Sequence, residues 1–449
     1  MRRWRGSASL LAALFVVGGF GVVAFVWWPA IAAIAPPARQ SFDDAAIRRG
    51  RDLAAIGNCS SCHSLRGGKA FAGGLPVPTP FGAIFSTNIT PDVDSGIGGW
   101  SEAAFRRAMR SGVDRDGRHL YPTFPYDHFT DVTDDDDGAL YAYLMTRDPV
   151  YAPARQNLVS FPFDQRWLIA GWKLLFLRQG HDRSDPTRSA EWNRGAYLVE
   201  GLAHCGACHT PRNALGAERK DATFAGGDVD NWQAYALNSQ SVGWDKAALS
   251  AYLREGFHPD HGTARGPMAE VVRNLATVPA ADVQAIAAYM ADIFGPRSPD
   301  APPQPRRQDV TVAIADAGRL PGDSGTAIYT AACATCHESG RPLPYGGINL
   351  ARSTALSAPQ PTNLANIVLA GVRPVEGEHS PIMPGFADSM DDRQVAALLS
   401  YLRTRFGKGP PWANVDQSIR DARRTQTADL HPPTTHDNAP VDPPQRGKK

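Results

Sequence analysis

Hydrophobic residues recur with a helical period in three similar blocks of the chain. In the first block, Ile47, Leu53 and Ile56 lie on one face of a helix predicted over residues 45–56. Residues 193–199 and 325–329 predict a helix at the same place in the second and third blocks. The pattern therefore predicts three copies of one small helical unit.

Each block continues with an amphipathic helix and then a closing helix. The amphipathic helices are predicted over residues 101–111, 245–255 and 362–370. Each of them is followed by a glycine, the residue favoured just after a helix end. The closing helices carry tyrosines at aligned positions, Tyr143, Tyr289 and Tyr401. Polar or proline-rich linkers separate the blocks, so each is expected to be a separate unit.

A Cys-x-x-Cys-His motif follows the first helix of every block. The three copies are Cys59, Cys62 and His63; Cys205, Cys208 and His209; and Cys333, Cys336 and His337. Two thiols on one helical turn can bond the two vinyl groups of a haem, and the adjacent histidine can bind its iron. A zinc site would need cysteine pairs much closer together in sequence. The motifs therefore predict three covalently bound haem c groups, and they use all six cysteines.

Two adjacent glycines follow each motif, at 73–74, 226–227 and 346–347. Glycine lets a backbone approach a flat surface closely, so we expect these loops to pass beside the haem.

The second and third blocks offer a methionine as the other axial ligand of the iron. Met268 and Met383 lie between the amphipathic helix and the closing helix, each beside a proline. A methionine ligand raises the reduction potential of a haem. We therefore predict His–Met ligation for the second and third haems.

The first block departs from this pattern because Phe124 occupies the position of the methionine. His128 is four residues further on and is the leading candidate ligand. Another histidine or methionine, or no strong protein ligand, remains the alternative. Ligation by two histidines would lower the potential of this haem relative to the other two.

The N-terminal segment and the overall charge bear on location. Three arginines precede an almost wholly apolar run from Leu10 to Trp28, long enough for a transmembrane helix of about 20 residues. A cleaved signal peptide is the alternative. Haem c is attached outside the cytoplasm, so the haem domains are expected on the periplasmic side of a bacterial inner membrane, in contact with lipid. The net charge of +1 and the mixed charges do not suggest nucleic acid binding.

The expected fold is all-α, with three tandem cytochrome c-like domains behind a transmembrane helix. The predicted divisions are an anchor or signal segment at 1–40, haem domains at 41–178, 189–295 and 318–407, and a disordered tail at 413–449. Aspartates 134–137 begin a closing helix, where they complement the helix dipole; a calcium site is the less favoured interpretation.

These motifs, together with the stretch from Phe71 to Asp92, resemble the triple-haem cytochrome c subunits of bacterial membrane-bound dehydrogenases. The resemblance spans about residues 47–406. It implies a subunit that takes electrons from a periplasmic catalytic subunit and passes them to ubiquinone or the respiratory chain. It implies no catalytic residue in this chain.

Within that family, the segment from Arg118 to Phe129 is more similar to the branch paired with molybdenum hydroxylases of aldehydes or N-heterocycles, which also have an iron–sulfur partner. The alternative is the flavin- or quinone-dependent alcohol and gluconate branch. A peroxidase-like enzyme using the first haem and a haem sensor are hypotheses of other classes, and no output domain for a sensor is visible.

Overall fold

The computed structural model describes residues 26–180, 184–239, 244–259, 261–295, 324–342, 344–373, 380–407 and 409–430. The chain forms two compact units. One contains the first and second repeats, and the other contains the third repeat together with residues 231–233 and 259–263. The division into three haem domains at the predicted boundaries stays a prediction.

The first repeat consists of helices with a small antiparallel sheet beside them. Its elements are α1 (Asp44–Ile56), α2 (Cys59–His63), β1 (Pro76–Thr79), β2 (Gly82–Phe85), α3 (Glu102–Ser111), α4 (Tyr126–Phe129), α5 (Asp134–Met145), β3 (Leu158–Val159) and α6 (Leu168–Phe176). The strands are ordered β1-β2-β3, with Val77 opposite Ile84 and Ala83 opposite Leu158.

The second repeat has the same order of helices. Its elements are α7 (Ala190–Tyr197), which continues into a π-helical stretch (Leu198–Leu202), α8 (Gly206–His209), β4 (Gly227–Val229), β5 (Trp232–Ala234), α9 (Lys246–Glu255), β6 (Phe257–His258), β7 (Gly262–Thr263), α10 (Pro267–Ala276) and α11 (Ala280–Phe294). The buried side chains of the first and second repeats form one hydrophobic core.

The third repeat is built from helices around a core of its own. Its elements are α12 (Gly325–Ala332), α13 (Ala334–His337), α14 (Thr354–Ser357), α15 (Thr362–Ala370), α16 (Asp392–Phe406) and α17 (Val415–Leu430). Short 3-10 turns at Arg39–Ser41, Lys220–Ala222 and Leu350–Arg352 complete the described elements.

A glycine sits at the same helix crossing in every repeat. A Cβ on Gly50 would lie 1.9 Å from the Ala139 carbonyl oxygen, and one on Gly195 would lie 2.0 Å from that of Ala285. In the third repeat, a Cβ on Gly325 would lie 2.2 Å from the Ala397 oxygen. The β-carbons of Tyr143, Tyr289 and Tyr401 are each 2.7 Å from the same hypothetical Cβ atoms. The aligned tyrosines therefore mark one crossing of the first and closing helices, formed three times.

The ends of the amphipathic helices agree with the sequence. Ser101 and Asp245 accept hydrogen bonds from backbone N–H groups in the first turns of α3 and α9. Gly112 and Gly256, just after those helices, have φ angles of 58° and 74°. This left-handed conformation favours glycine, so these two stop signals are confirmed.

The prediction of an N-terminal transmembrane helix is corrected by the structure. Among the described residues, no helix is both long and apolar enough to span a bilayer. Trp27 and Trp28, at the end of the predicted span, lie in irregular backbone. The segment that follows is tied to the first repeat, where Ile31 N donates to Arg115 O at 2.8 Å and Ile34 N to Gly99 O at 3.0 Å. Residues 1–25 of the predicted anchor lie outside the described residues.

The expectation of a purely α-helical fold also needs correction, because the described part of the chain includes short strands. They are two to four residues long and carry no sustained alternation of apolar and polar residues. Such short strands leave little pattern in a sequence.

Part of the predicted disordered tail is a helix. In α17, Ile419 and Ala422 are fully buried against the third core. Arg423 ties the helix down by donating to the carbonyl oxygens of Ala387 and Met390 at 2.7 and 2.6 Å. Burial of these few apolar groups compensates for the otherwise polar composition. Residues 431–449 lie outside the described residues.

Candidate haem-binding sites

Each Cys-x-x-Cys-His motif lies on a short helix directly after the first helix of its repeat: α2, α8 and α13. All six cysteines are free thiols rather than disulfides. The pairs Cys59 and Cys62, Cys205 and Cys208, and Cys333 and Cys336 are thus brought to one turn, as the sequence predicts.

The three motif histidines are oriented in the same way. Their Nδ1 atoms bond backbone carbonyl oxygens: His63 to Thr87 at 2.6 Å, His209 to Tyr235 at 2.7 Å and His337 to Ile348 at 2.9 Å. Burial lowers the pKa of all three imidazoles, which favours the neutral form that binds metals. Because Nδ1 carries the proton, Nε2 is the nitrogen left to bind iron.

The glycine pairs hold the motif backbone in place. Gly73 N donates to His63 O at 2.7 Å, Gly226 N to His209 O at 2.8 Å, and Gly347 N to Cys336 O at 2.9 Å. A Cβ on Gly347 would lie 2.6 Å from His337 Nδ1. The motif itself therefore requires at least this glycine. That the loop also passes beside the haem stays a prediction.

Sequence reasoning missed the hydroxyl group that follows the first and second motifs. Ser64 Oγ accepts from Phe71 N, and Thr210 Oγ1 accepts from Phe224 N, both at 3.1 Å. Phe71 and Phe224 have φ angles of 63° and 59°, unusual for a bulky side chain. The sequence does contain a signal for this contact, because a serine or threonine directly follows His63 and His209.

The predicted methionine ligands lie where the repeat places them. Met268 is in the first turn of α10, half-buried and packed on the shared core. Met383 is half-buried on the third core, and its N–H and carbonyl bond Val372 at 3.0 and 2.9 Å. The assignment of either sulfur to an iron stays a prediction.

Phe124 is the structural counterpart of Met268. In the first repeat, Leu120 N donates to Gly112 O at 2.7 Å, and in the second, Ala264 N donates to Gly256 O at 2.8 Å. Phe124 and Met268 each come four residues after that anchoring N–H. The replacement inferred from the sequence is therefore a replacement at the same place in the loop.

His128, the candidate sixth ligand of the first haem, points away from its own repeat. Its Nδ1 lies 2.6 Å from Glu200 O, and its Nε2 lies 2.6 Å from Glu218 Oε1. Both of its nitrogens are engaged by the second repeat in this arrangement, and its assignment as a ligand of the first iron stays a prediction. His119 is also held at both nitrogens, by Val26 O at 2.9 Å and Lys173 Nζ at 3.0 Å.

The aspartates that begin α5 bind arginines. Asp136 accepts two hydrogen bonds from Arg49, and Asp137 accepts one from Arg110 at 2.8 Å. These pairs, added to the helix dipole, account for the carboxylates without a bound cation.

Comparisons with known proteins agree with this geometry. The sequence model of the cytochrome c family matches residues 47–148, and that of subunit III of cbb3-type cytochrome c oxidase matches residues 321–402. The cytochrome subunit of fructose dehydrogenase from Gluconobacter japonicus is 35% identical over 405 residues, which cover 85% of this chain and 83% of that protein. The chain belongs to the family of dehydrogenase cytochrome c subunits.

Two further relatives of this cytochrome subunit are also subunits of dehydrogenases. The gluconate 2-dehydrogenase cytochrome c subunit of Pantoea cypripedii is 35% identical, over 87% of the chain and 92% of that protein. A nicotinate dehydrogenase subunit of Pseudomonas putida is 46% identical over 94% of the chain. The chain spans only 35% of the length of that longer relative.

The residues of this cytochrome subunit fit covalently bound haem c. Each motif presents two free thiols beside an imidazole whose Nδ1 is already bonded to a backbone carbonyl. A haem held there supplies one-electron oxidation and reduction. The protein thus acts in electron transfer as the cytochrome subunit of a dehydrogenase complex.

Proposed function

We propose that this protein is a three-haem electron relay on the periplasmic side of the bacterial inner membrane. It takes electrons from the catalytic subunit of a dehydrogenase and delivers them to ubiquinone or to a later carrier of the respiratory chain. The supporting observation is the identical orientation of His63, His209 and His337, which leaves an Nε2 atom at each motif for an iron.

The favoured partner is a molybdenum hydroxylase of aldehydes or N-heterocycles, with its iron–sulfur subunit. The relative from nicotinate dehydrogenase shares 46% identity with this chain. The fructose and gluconate relatives share 35% each. Because nicotinate is an N-heterocycle, the higher identity favours that branch.

A dehydrogenase of the flavin or quinone type is the alternative partner. The fructose, gluconate and alcohol dehydrogenase relatives are covered over 83–92% of their lengths, so this chain has nearly their full extent. The two kinds of partner carry different cofactors, so cofactor analysis of the captured subunit distinguishes them.

A pull-down in mild detergent from native membranes tests the partner. For this experiment the protein is expressed with an affinity tag, and membranes that contain the untagged protein are the control. Molybdenum with iron–sulfur in the captured large subunit supports the favoured partner, and flavin or a quinone cofactor supports the alternative. Capture of no dehydrogenase would contradict the proposal.

Relay through the second site is tested with His209→Ala and Met268→Ala. Each should interrupt electron flow from substrate to ubiquinone while the first and third haems stay attached. Unchanged flux with either variant would show that the second site is not on the route.

A haem enzyme is the second candidate, and one observation favours keeping it. Phe124 replaces the methionine at the first site, and both nitrogens of His128 are engaged elsewhere. An iron without a sixth protein ligand can bind peroxide. A high-spin ferric signal with turnover of hydrogen peroxide would support this function, and a wholly low-spin spectrum would remove it.

A further inference from the structure

His128 belongs to the first repeat but is bound entirely by the second. It lies on the short helix α4 with 5% of its surface exposed. Its partners, the carbonyl of Glu200 and the carboxylate of Glu218, are 72 and 90 residues further along the chain. Glu218 is itself only 7% exposed. The contact is a buried link between two haem-binding repeats.

The chemistry of the two partners indicates the charge of this histidine. A carbonyl oxygen and a carboxylate oxygen both accept hydrogen bonds, so both ring nitrogens of His128 act as donors. A neutral imidazole has one N–H only, whereas an imidazolium has two. The geometry therefore describes an imidazolium paired with the Glu218 carboxylate at 2.6 Å.

The surrounding charges agree with an ion pair. Burial opposes charge on His128, but the hydrogen bond and the charges of Glu218 and Asp127 raise its pKa. Burial would raise the pKa of Glu218, but its bond with His128 lowers it to about 2. Lys220 Nζ, 3.4 Å from Glu218 Oε2, also favours the carboxylate.

This pair lies directly against the second haem motif. Gly206 is the residue between Cys205 and Ala207 in that motif. A Cβ on Gly206 would be 3.1 Å from His128 Cε1 and 3.2 Å from Glu218 Oε2. The two side chains thus leave almost no room for a side chain at Gly206, on the turn that carries the haem-binding cysteines.

We propose that His128 and Glu218 are positioning residues for the second haem. They dock the first repeat on the Cys-x-x-Cys-His turn of the second repeat, and their opposite charges set the reduction potential of the second haem. The proposal rests on a haem being bound at the second motif. It does not depend on which dehydrogenase supplies the electrons. In a low-dielectric site, a nearby positive charge favours the reduced haem and a negative charge favours the oxidised one.

The test is a spectroscopic redox titration of the purified three-haem protein and its variants. His128→Gln leaves the Glu218 charge unbalanced and should lower one of the potentials. Glu218→Gln leaves a positive or neutral His128 and should raise the same potential. The double variant should return close to the wild-type value. Each single shift is expected to be up to about tenfold in the ratio of reduced to oxidised haem, or 59 mV for one electron.

The controls separate charge from loosened packing. Arg219→Gln and Asp221→Asn make the same charge changes close by in sequence, but their side chains are 49% and 68% exposed. Water should screen them, so little shift is expected. His128→Lys keeps the positive charge and should retain the potential better than His128→Gln. If the His128→Gln protein does not assemble, the His128→Lys protein can be titrated in its place.

Three results would overturn the proposal. One is that His128→Gln and Glu218→Gln move the potential in the same direction or not at all. Another is a change of the ferric spin signal in His128→Gln alone, which would make His128 a ligand of the first haem. The third is a stoichiometric divalent metal lost in Glu218→Gln, because the ligand atoms of Asp127, His128 and Glu218 lie within 4.8 Å of one another.

Discussion

Arg49, on the first helix of the first repeat, reaches Asp282 on the closing helix of the second, with Nη1 3.6 Å from Oδ2. Its own-repeat partner is Asp136, 3.1 Å from Nε. Arg194 repeats the arrangement in reverse, with Nε 2.8 Å from Asp282 and Nη1 3.8 Å from Asp136. Each arginine thus contacts the aspartate of its own repeat and, at a longer distance, the aspartate of the other repeat; we call this set of contacts the exchange.

Double-mutant cycles should rank these pairs. Arg194→Gln with Asp282→Asn should give a coupling of about 1–2 kcal/mol in the free energy of unfolding, since the pair is close and mostly buried. Arg49→Gln with Asp282→Asn should give about 0.5 kcal/mol, because Arg49 is more exposed and further away. The exposed pair of Arg219 and Asp221 is the control, with coupling near zero. Denaturant unfolding measures all three, and equal couplings would contradict the ranking.

Gly195→Ala should destabilise the protein by about 1–3 kcal/mol, because its Cβ would overlap the Ala285 carbonyl oxygen. Gly171→Ala on helix α6 is the matched control, since a Cβ there meets nothing within 4 Å. The control should be stabilising by about 0.5–1 kcal/mol. Thermal and denaturant unfolding provide the comparison. A Gly195→Ala protein as stable as the control would show that the crossing can open.

Replacing both Cys333 and Cys336 by alanine should reduce the haem content from three to two per chain. The third repeat has a separate core, so the first two haems should stay attached. Haem released and assayed as its pyridine complex, divided by protein mass, gives the count. Two haems in the unaltered protein would disprove the three-haem prediction.

Phe124→Met should supply a sulfur ligand to the first haem, because Phe124 occupies the place of Met268. The expected result is a higher potential for one haem and gain of the absorption band of iron bound by methionine sulfur. Phe124→Leu is the control of similar size without a ligand atom. Identical spectra of the two variants would show that the loops differ in more than this side chain.

The stability supplied by His128 and Glu218 should depend on pH. Because folding raises the pKa of His128 above 6.5, its contribution is complete below that pH and is lost as the pH rises through the folded value. Folding lowers the pKa of Glu218 from 4.5 to about 2, so its contribution is complete above 4.5 and is lost in acid. The unfolding free energy of the wild type minus that of the double variant His128→Gln with Glu218→Gln should therefore peak between these limits, at about pH 4.5–6.5. A difference that grows above pH 7 would contradict the charged pair.

Features encoded by neighbouring residues were predictable from the sequence. The three motifs, the helix that buries Ile47, Leu53 and Ile56, and the glycine stops at Gly112 and Gly256 all depend on local spacing. Repetition strengthened each of these signals.

The rest depends on contacts between distant residues. Nothing near His128 in sequence shows that Glu218, 90 residues further on, is its hydrogen-bond partner. The helix α17 was not predicted because its composition is polar. Burial of Ile419 and Ala422 on one face of the helix is enough to pack it against the third core. The transmembrane prediction rested on the hydrophobicity of the N-terminal run alone, and it did not foresee the backbone hydrogen bonds that Ile31 and Ile34 make with the first repeat.

The exchange among Arg49, Asp136, Arg194 and Asp282 has the form of a contact between two identical subunits, in which each residue meets its counterpart's partner. In a true homodimer, any substitution appears on both sides. A duplicated unit in one chain is released from that constraint, so one half can change alone while the contact persists. Phe124 and Met268 differ at the same place in two similar repeats, and such a difference allows the two repeats to have different redox properties.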